Sequence, residues 1–184
     1  MKFIFDFDDV LFNNTKEFKP YMYGILENAG IPRDVAEPYY QQVRVNQYWL
    51  KDLLKYFSLN ENLYEKILDK NVIEKFINHE VLSLVKNIGK ENCFILSHGG
   101  EEFQLDKITK TDIKHLFSDV FVIFDTKTTT IEKICTTHPN EQVVFIDDKT
   151  KYFEGLDFVK YPNLKTILFD ENGLEKLKIE VAKI

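Results

Sequence analysis

The 184-residue chain has only two cysteines, Cys93 and Cys135. One stands in an apolar strand-like run and the other in a helix-like segment, without the clustered His/Cys spacing of a zinc site. Both are expected to be reduced core residues. Lysine and arginine runs are also missing, and 24 basic residues against 30 acidic ones leave a formal charge of −6. The electrostatic footprint of a nucleic-acid binder is therefore absent, and a small diffusible partner is expected instead. No stretch approaches the roughly 18 apolar residues of a membrane span. The apolar start is interrupted by Asp6, Asp8 and Asp9, unlike a secretory signal, so no membrane partner and a cytoplasmic location are expected. Internal repeats, low-complexity segments and flexible linkers are lacking too. Nothing in the sequence speaks to oligomeric state.

What is present is enough apolar material, 44% of residues with 14% aromatic, for one core and a small appended module. Five short apolar runs read as buried parallel strands: "KFIFDF" from Lys2, "CFILS" ending at Ser97, "DVFVIF" from Asp119, "VVFID" from Val143 and "KTILFD" from Lys165. Between the last four lie "EEFQLDKITKTDIKHLF", "TTTIEKICTTH" and "KYFEGLDFV", read as helical crossovers. Alternating strands and helices imply an α/β fold with a Rossmann-like, five-stranded parallel sheet. The gap after the first strand holds no strand pattern but several helix-period segments, among them "EFKPYMYGILENAG", "NQYWLKDLLKYF" and "NLYEKILDKNVIEKFI". The expected division is a core of residues 1–12 and 88–184 with a helical insertion over 13–87. The insertion's last piece, "HEVLSLVKNIG", reads as the helix that leads into strand two. Gly30 and Gly89 stand where helices should end, and Asn60 where one could begin.

The oddity is "DFDD", three carboxylates at the end of a buried strand. Ligands of an open parallel sheet bind beyond the carboxyl ends of its strands. Strand one delivers Asp6, Asp8 and Asp9 there; strand two delivers Ser97, His98 and Gly99; the loop after strand three, Asp125 and Lys127; strand four, Asp147 and Asp148. Strand five ends in Asp170, where "FDENG" reads as a turn. Two carboxylates about 4 Å apart repel by about 4 kcal/mol at an effective dielectric near 20, so such a cluster demands a cation. Oxygen-only ligands favour magnesium. Together with the Ser97 hydroxyl and the Lys127 ammonium, that set suits a phosphoryl group. Lys107, Lys110 and Lys133 are rival candidates for the site lysine. Trp49, Tyr39, Tyr40 and Tyr48 read as core of the insertion, and Asn13, Asn14, Lys16, Arg44 and Gln47 as helix surface that could face the cleft.

The ordered set "FIFDFDDVL", "CFILS", Lys127 and "VVFIDD" resembles the haloacid dehalogenase-like (HAD) hydrolase superfamily, of the phosphatase type with a helical C1-type cap. The resemblance implies a Mg2+-dependent hydrolase of phosphate monoesters. Its substrate would be a small phosphorylated metabolite, and an aspartyl phosphate would form on the way. Asp6 would be the nucleophile and Asp8 the acid and base, and Ser97 and Lys127 would hold the phosphoryl oxygens. His98, where asparagine or glycine is frequent in the family, and Gly99 are separate candidates for substrate binding, with a solvent-facing loop the alternative for His98. Magnesium would be held by Asp6, the Asp8 carbonyl and the acidic pair, with Asp148 the direct ligand and Asp147 behind it or bound through water. The carbon–halogen cleaving members lack the aspartate two residues after the nucleophile, so Asp8 favours phosphate esters. The alternatives are a phosphotransferase or phosphomutase using the same site, or a binding protein that keeps the fold without turnover. A response-regulator receiver is disfavoured by the order of the acids. Asp9 stands where many members have glycine and has no role in this reading.

Overall fold

The computed structural model describes residues 1–44 and 46–184. Five strands, β1 (Lys2–Phe5), β2 (Cys93–His98), β3 (Asp119–Ile123), β4 (Val143–Asp147) and β5 (Leu164–Leu168), form one sheet of order β3-β2-β1-β4-β5. All four pairings are parallel. The five apolar runs are these strands, because a parallel sheet is covered on both faces and leaves its strands no polar side. Phe3 and Phe5 of β1 join one buried cluster with Val81, Val85, Ile108 and Leu177. Ile4, between them, joins the opposite cluster with Ile131, Ile134 and Cys135. Both cysteines are free and buried, as expected.

Between β1 and β2 lie a π-helical turn (Asn14–Phe18) and the helices α1 (Lys19–Asn28), α2 (Arg33–Val43), α3 (Trp49–Tyr56), α4 (Asn62–Ile67), α5 (Lys70–Ile73) and α6 (His79–Ile88). The segment read as one helix over 62–77 is broken after Ile67. The Asp69 carboxylate accepts a hydrogen bond from the Asn71 amide and so caps a new start. Gly30 and Gly89 have φ of 94° and 90°, the left-handed geometry that ends a helix. The chain leaves and re-enters the sheet layer through one narrow neck: Phe12 bridges Ile77, and the Asn78 amide donates to the Leu11 carbonyl at 2.9 Å. Beyond β2 come α7 (Glu101–Lys110), α8 (Thr128–Thr137) and, after β5, α9 (Gly173–Val181), which packs on α6.

One expected crossover is corrected. "KYFEGLDFV" is not a helix but a 3-10 turn at Thr150–Tyr152 followed by turns. Gly155 takes φ of 80°, and the Asp157 carboxylate accepts from the Val159 and Lys160 amides, local bonds that compete with a helix.

Asp9 acquires a reason at this level. Its φ is 63°, in the left-handed region that only glycine enters freely and that aspartate and asparagine tolerate best among the rest. Its carboxylate accepts from the Thr15 amide at 2.7 Å and from the Thr15 hydroxyl at 2.6 Å, tying the turn after β1 to the first inserted turn. Asp9→Ala keeps the strained backbone and loses both bonds, so it should cost about 1–2 kcal/mol. Asp9→Gly should cost less, since glycine relieves the backbone. Urea midpoints of the two variants check the order; a less stable Asp9→Gly would contradict it.

Candidate active site

The order β3-β2-β1-β4-β5 reverses direction between β1 and β4, and that is where an open α/β sheet presents a crevice beyond its carboxyl ends. Pairing of Phe5 with Ile146 sets Asp6 beside Asp147, and the Asp6 amide donates to the Ile146 carbonyl at 2.9 Å. Both aspartates are buried. Between them comes Lys127, at the start of α8 and fully buried, with its Nζ 2.8 Å from Asp6 Oδ1 and 2.6 Å from Asp147 Oδ2. One ammonium thus serves two carboxylates, and the trio carries one excess negative charge in a dry place. Burial works against the charge of Lys127, but Asp6 and Asp147 outweigh it and raise its pKa above the ordinary lysine value. The cost of the excess anion falls on Asp6. Its burial, reinforced by Asp147 and Asp8 and only partly offset by Lys127, pushes its carboxyl up to about 7.

Both Asp147 oxygens accept a protein hydrogen bond, and Oδ1 takes one from the Lys149 amide at 2.9 Å. Asp148 is paired at the surface with the Lys149 ammonium, 2.9 Å away, and burial raises its carboxyl above the ordinary range while Lys149 holds it back. One carboxylate oxygen each from Asp6, Asp147 and Asp148 lie within 4.8 Å of one another, a donor set for a small hard cation. The excess negative charge on the buried trio and the purely oxygen chemistry both fit a divalent ion such as magnesium.

Ser97, at the end of β2, is 1% exposed, and its hydroxyl oxygen has no hydrogen-bond partner among the described residues. A buried hydroxyl of that kind costs about 1–3 kcal/mol unless something binds it, so it points to a ligand. His98 and Gly99 line the cavity in front of the strand ends. Gly100 completes that loop, and its lack of a side chain is required: a Cβ there would stand 2.5 Å from the Asn46 carbonyl oxygen and 2.9 Å from that of Gln47. The inserted segment between α2 and α3 therefore presses directly on the loop after β2.

Asp8 is held from α7. Lys107 Nζ lies 2.5 Å from its Oδ1, and Gln104 Nε2 donates to its Oδ2 at 2.8 Å. Lys107 is 1% exposed and its ammonium sits 5.1–5.6 Å from the ring centroids of Phe7, Phe12, Phe18 and Phe103. Burial lowers its pKa, and Asp8 pulls it partway back. Lys107, a rival in the sequence for the place of Lys127, holds Asp8 instead, so the two buried lysines pair with different aspartates. Gln104 has no signal in the sequence at all. Of the polar residues that could face the cleft, Asn14 and Arg44 line the cavity and Asn13, Lys16 and Gln47 do not. The Trp49 ring centroid lies 4.5 Å from that of Phe103 in α7 and 4.9 Å from that of Tyr40, and Trp49 and Tyr40 line the cavity, so they are buried where the inserted helices meet the core and not only within the insertion, while Tyr48 is exposed. Asp125 is exposed in the loop before Lys127.

No protein-family model and no curated protein matches the chain. Solved structures do. A provisionally assigned haloacid dehalogenase-like hydrolase from Burkholderia xenovorans LB400 superposes with a TM-score of 0.69 at 16% identity, over 95% of this chain and 89% of that one. YfnB of Bacillus subtilis, a provisionally assigned HAD-hydrolase solved bound to magnesium, gives 0.55 at 18% identity over 98% and 97%. A provisionally assigned β-phosphoglucomutase from Thermotoga maritima gives 0.55 at 17% identity over 98% and 91%. The chain has the fold of the haloacid dehalogenase-like hydrolases. No helix among the described residues is long and apolar enough to cross a membrane.

Proposed function

We propose that the chain is a magnesium-dependent phosphatase of a small phosphorylated metabolite, working through a phosphoryl group carried on Asp6. The observation that carries the reading is the buried ammonium of Lys127 shared between Asp6 and Asp147, with the unpartnered hydroxyl of Ser97 near the end of the neighbouring strand β2. That combination offers a nucleophilic oxygen and two donors for phosphoryl oxygens at the ends of adjacent strands and the loop after β3. Asp6 attacks phosphorus, forming an Oδ–P bond as the ester P–O bond breaks. Asp8 gives a proton to the leaving oxygen and then takes one from the water that releases phosphate, regenerating Asp6. Lys127 offsets charge on Asp6 throughout, and Ser97 donates to a phosphoryl oxygen. Asp6, Asp148 and the Asp8 carbonyl would hold a magnesium ion, which would supply positive charge to the phosphoryl group. Asp147, whose two oxygens are both taken by protein donors, orients Lys127 and the loop after β4. The inserted helices, joined through the neck at Phe12 and Ile77, act as a cap over the site, and the reading places the protein in the cytoplasm. Phosphate release from a panel of esters with magnesium and with EDTA tests this. Metal-dependent turnover of at least one ester is expected, and folded protein inert towards all of them would overturn the reading.

The charge on Asp6 links metal, pH and stability. Its folded-state pKa of about 7 lies above the ordinary 3.8. It therefore contributes stability that is fully present below the unfolded value and is lost as pH rises through about 7. In EDTA the protein should lose thermal stability over that window. Magnesium should offset the anion, so its stabilising effect should be larger near about pH 8 than near about pH 5.5. Thermal unfolding at the two pH values, with and without metal, reads this; a magnesium effect that shrinks as pH rises would contradict it.

Lys107 offers a separate check on Asp8. Lys107→Met removes a buried charge and leaves Asp8, 18% exposed at its side chain, reachable by water, so the fold should tolerate it. Without its anchor Asp8 is misplaced for proton transfer. The kcat/KM value, which covers only the steps up to loss of the alcohol and not the later attack of water, should fall by about 10–100-fold for an alkyl phosphate. That for p-nitrophenyl phosphate, whose leaving group needs no proton, should fall much less. Equal losses in kcat/KM on both substrates would argue against Asp8 as the acid.

A further inference from the structure

We propose that the substrate is bis-anionic: besides the phosphoryl group it carries a second negative group, a carboxylate or another phosphate, seated against Lys19 and Arg44 of the inserted helices. This deepens the phosphatase reading and rests on it for the phosphoryl end.

The cavity in front of the strand ends has a volume of about 380 Å³. All of its lining carboxylates, Asp6, Asp8 and Asp9, belong to the turn after β1, whereas the rest of the wall carries Lys19, Arg44, Lys149 and Lys151 and no acid. The cations differ in how they are used. Lys127 and Lys107 are committed to Asp6, Asp147 and Asp8, and Lys149 to Asp148. Lys19, Arg44 and Lys151 form no salt bridge among the described residues. In a chain where acids outnumber bases 30 to 24, carboxylates are available to pair surface lysines, as Glu102 pairs Lys51 and Asp170 pairs Lys176. Three unpaired cations around one cavity therefore leave a positive wall opposite an acidic floor.

That wall exceeds what a monophosphate uses. The phosphoryl end is provided for at the strand ends by Ser97 and Lys127, whereas Lys19 opens α1 and Arg44 follows α2 in the insertion. Lys19 is half-buried, its ammonium held 5.5 Å over the ring of Tyr40, which limits its freedom and leaves its charge to the cavity. His98 also lines the cavity, and partial burial, Lys127, Lys151 and Arg44 lower its pKa against a hydrogen bond with the Phe124 backbone that raises it. A ligand with a negative group at each end suits this distribution, and a ligand ending in an ammonium meets repulsion.

The test uses four esters of one skeleton: ethyl phosphate, 2-phosphoglycolate, ethylene glycol bisphosphate and phosphoethanolamine. Turnover is measured with the wild-type protein. Binding is measured by calorimetry on Asp6→Asn, which should hold ligands without consuming them. The doubly anionic ligands should be preferred over ethyl phosphate by about 10–100-fold in kcat/KM and in affinity, and phosphoethanolamine should be worst. Comparing the carboxylate with the bisphosphate identifies which second anion is taken. In Lys19→Gln and Arg44→Gln the preference ratio should shrink towards one; Arg44 is exposed, so its variant should fold. Ethyl phosphate equal to or better than both dianions, or a ratio unchanged in both variants, would overturn the inference. Absence of turnover with a surviving binding preference would instead count against the phosphatase reading alone.

Discussion

Asp6→Asn is expected to abolish turnover, by on the order of 10³-fold or more, while the protein remains folded and at neutral pH is at least as stable as the wild type. The two halves of that expectation have one cause. Asp6 is a buried carboxylate that shares its only ammonium with Asp147, so its charge is costly to the fold, as its raised pKa of about 7 records. Asparagine keeps the shape, retains an oxygen for Lys127 and removes the excess charge. It cannot accept a phosphoryl group in the way a carboxylate does. A variant that lost activity by unfolding would show a lower melting temperature; this one should not. Steady-state kinetics beside thermal unfolding at about pH 7.5 reads both halves together.

Lys127→Met should have the largest effect on stability. It leaves Asp6 and Asp147 facing each other, both buried and with no cation between them. Breaking a buried pair by removing one partner costs about 3–5 kcal/mol, which for a chain of this size corresponds to a loss of roughly 6–20 °C in melting temperature. Activity should vanish as well, because a phosphoryl donor site is lost. The contrast with Lys107→Met is informative. Both lysines are buried in full, yet one removal strands two dry carboxylates and the other leaves a single carboxylate that water can reach. Similar stability for the two variants would contradict this account of the charges.

Much of the fold was legible because a parallel sheet buried on both faces turns its strands into apolar runs, and all five runs are strands. The acids at the ends of β1 and β4 were legible for the complementary reason: carboxylates have no place at the end of a buried strand unless something is bound there. Their contact, the shared Lys127 and the buried Ser97 follow from strand order and register, which the sequence pattern does not contain. Lys107 was not legible as an active-site partner. Its burial is made by Phe7, Phe12, Phe18 and Phe103, and three of those rings lie far from it in sequence. The residues of "KYFEGLDFV" have helical spacing but yield to a left-handed glycine and an aspartate that bonds its own neighbours' amides. Asp9, without a role in the motif, is explained by backbone geometry alone.

The most direct test of the account is the mass of the Asp6 peptide after acid quenching of the protein during turnover of p-nitrophenyl phosphate with magnesium present. A phosphate-sized increase confined to the peptide that carries Asp6, and absent from Asp6→Asn, is the predicted result. Phosphate release with Asp6 never modified, or a phosphoryl group found on another residue, would contradict it.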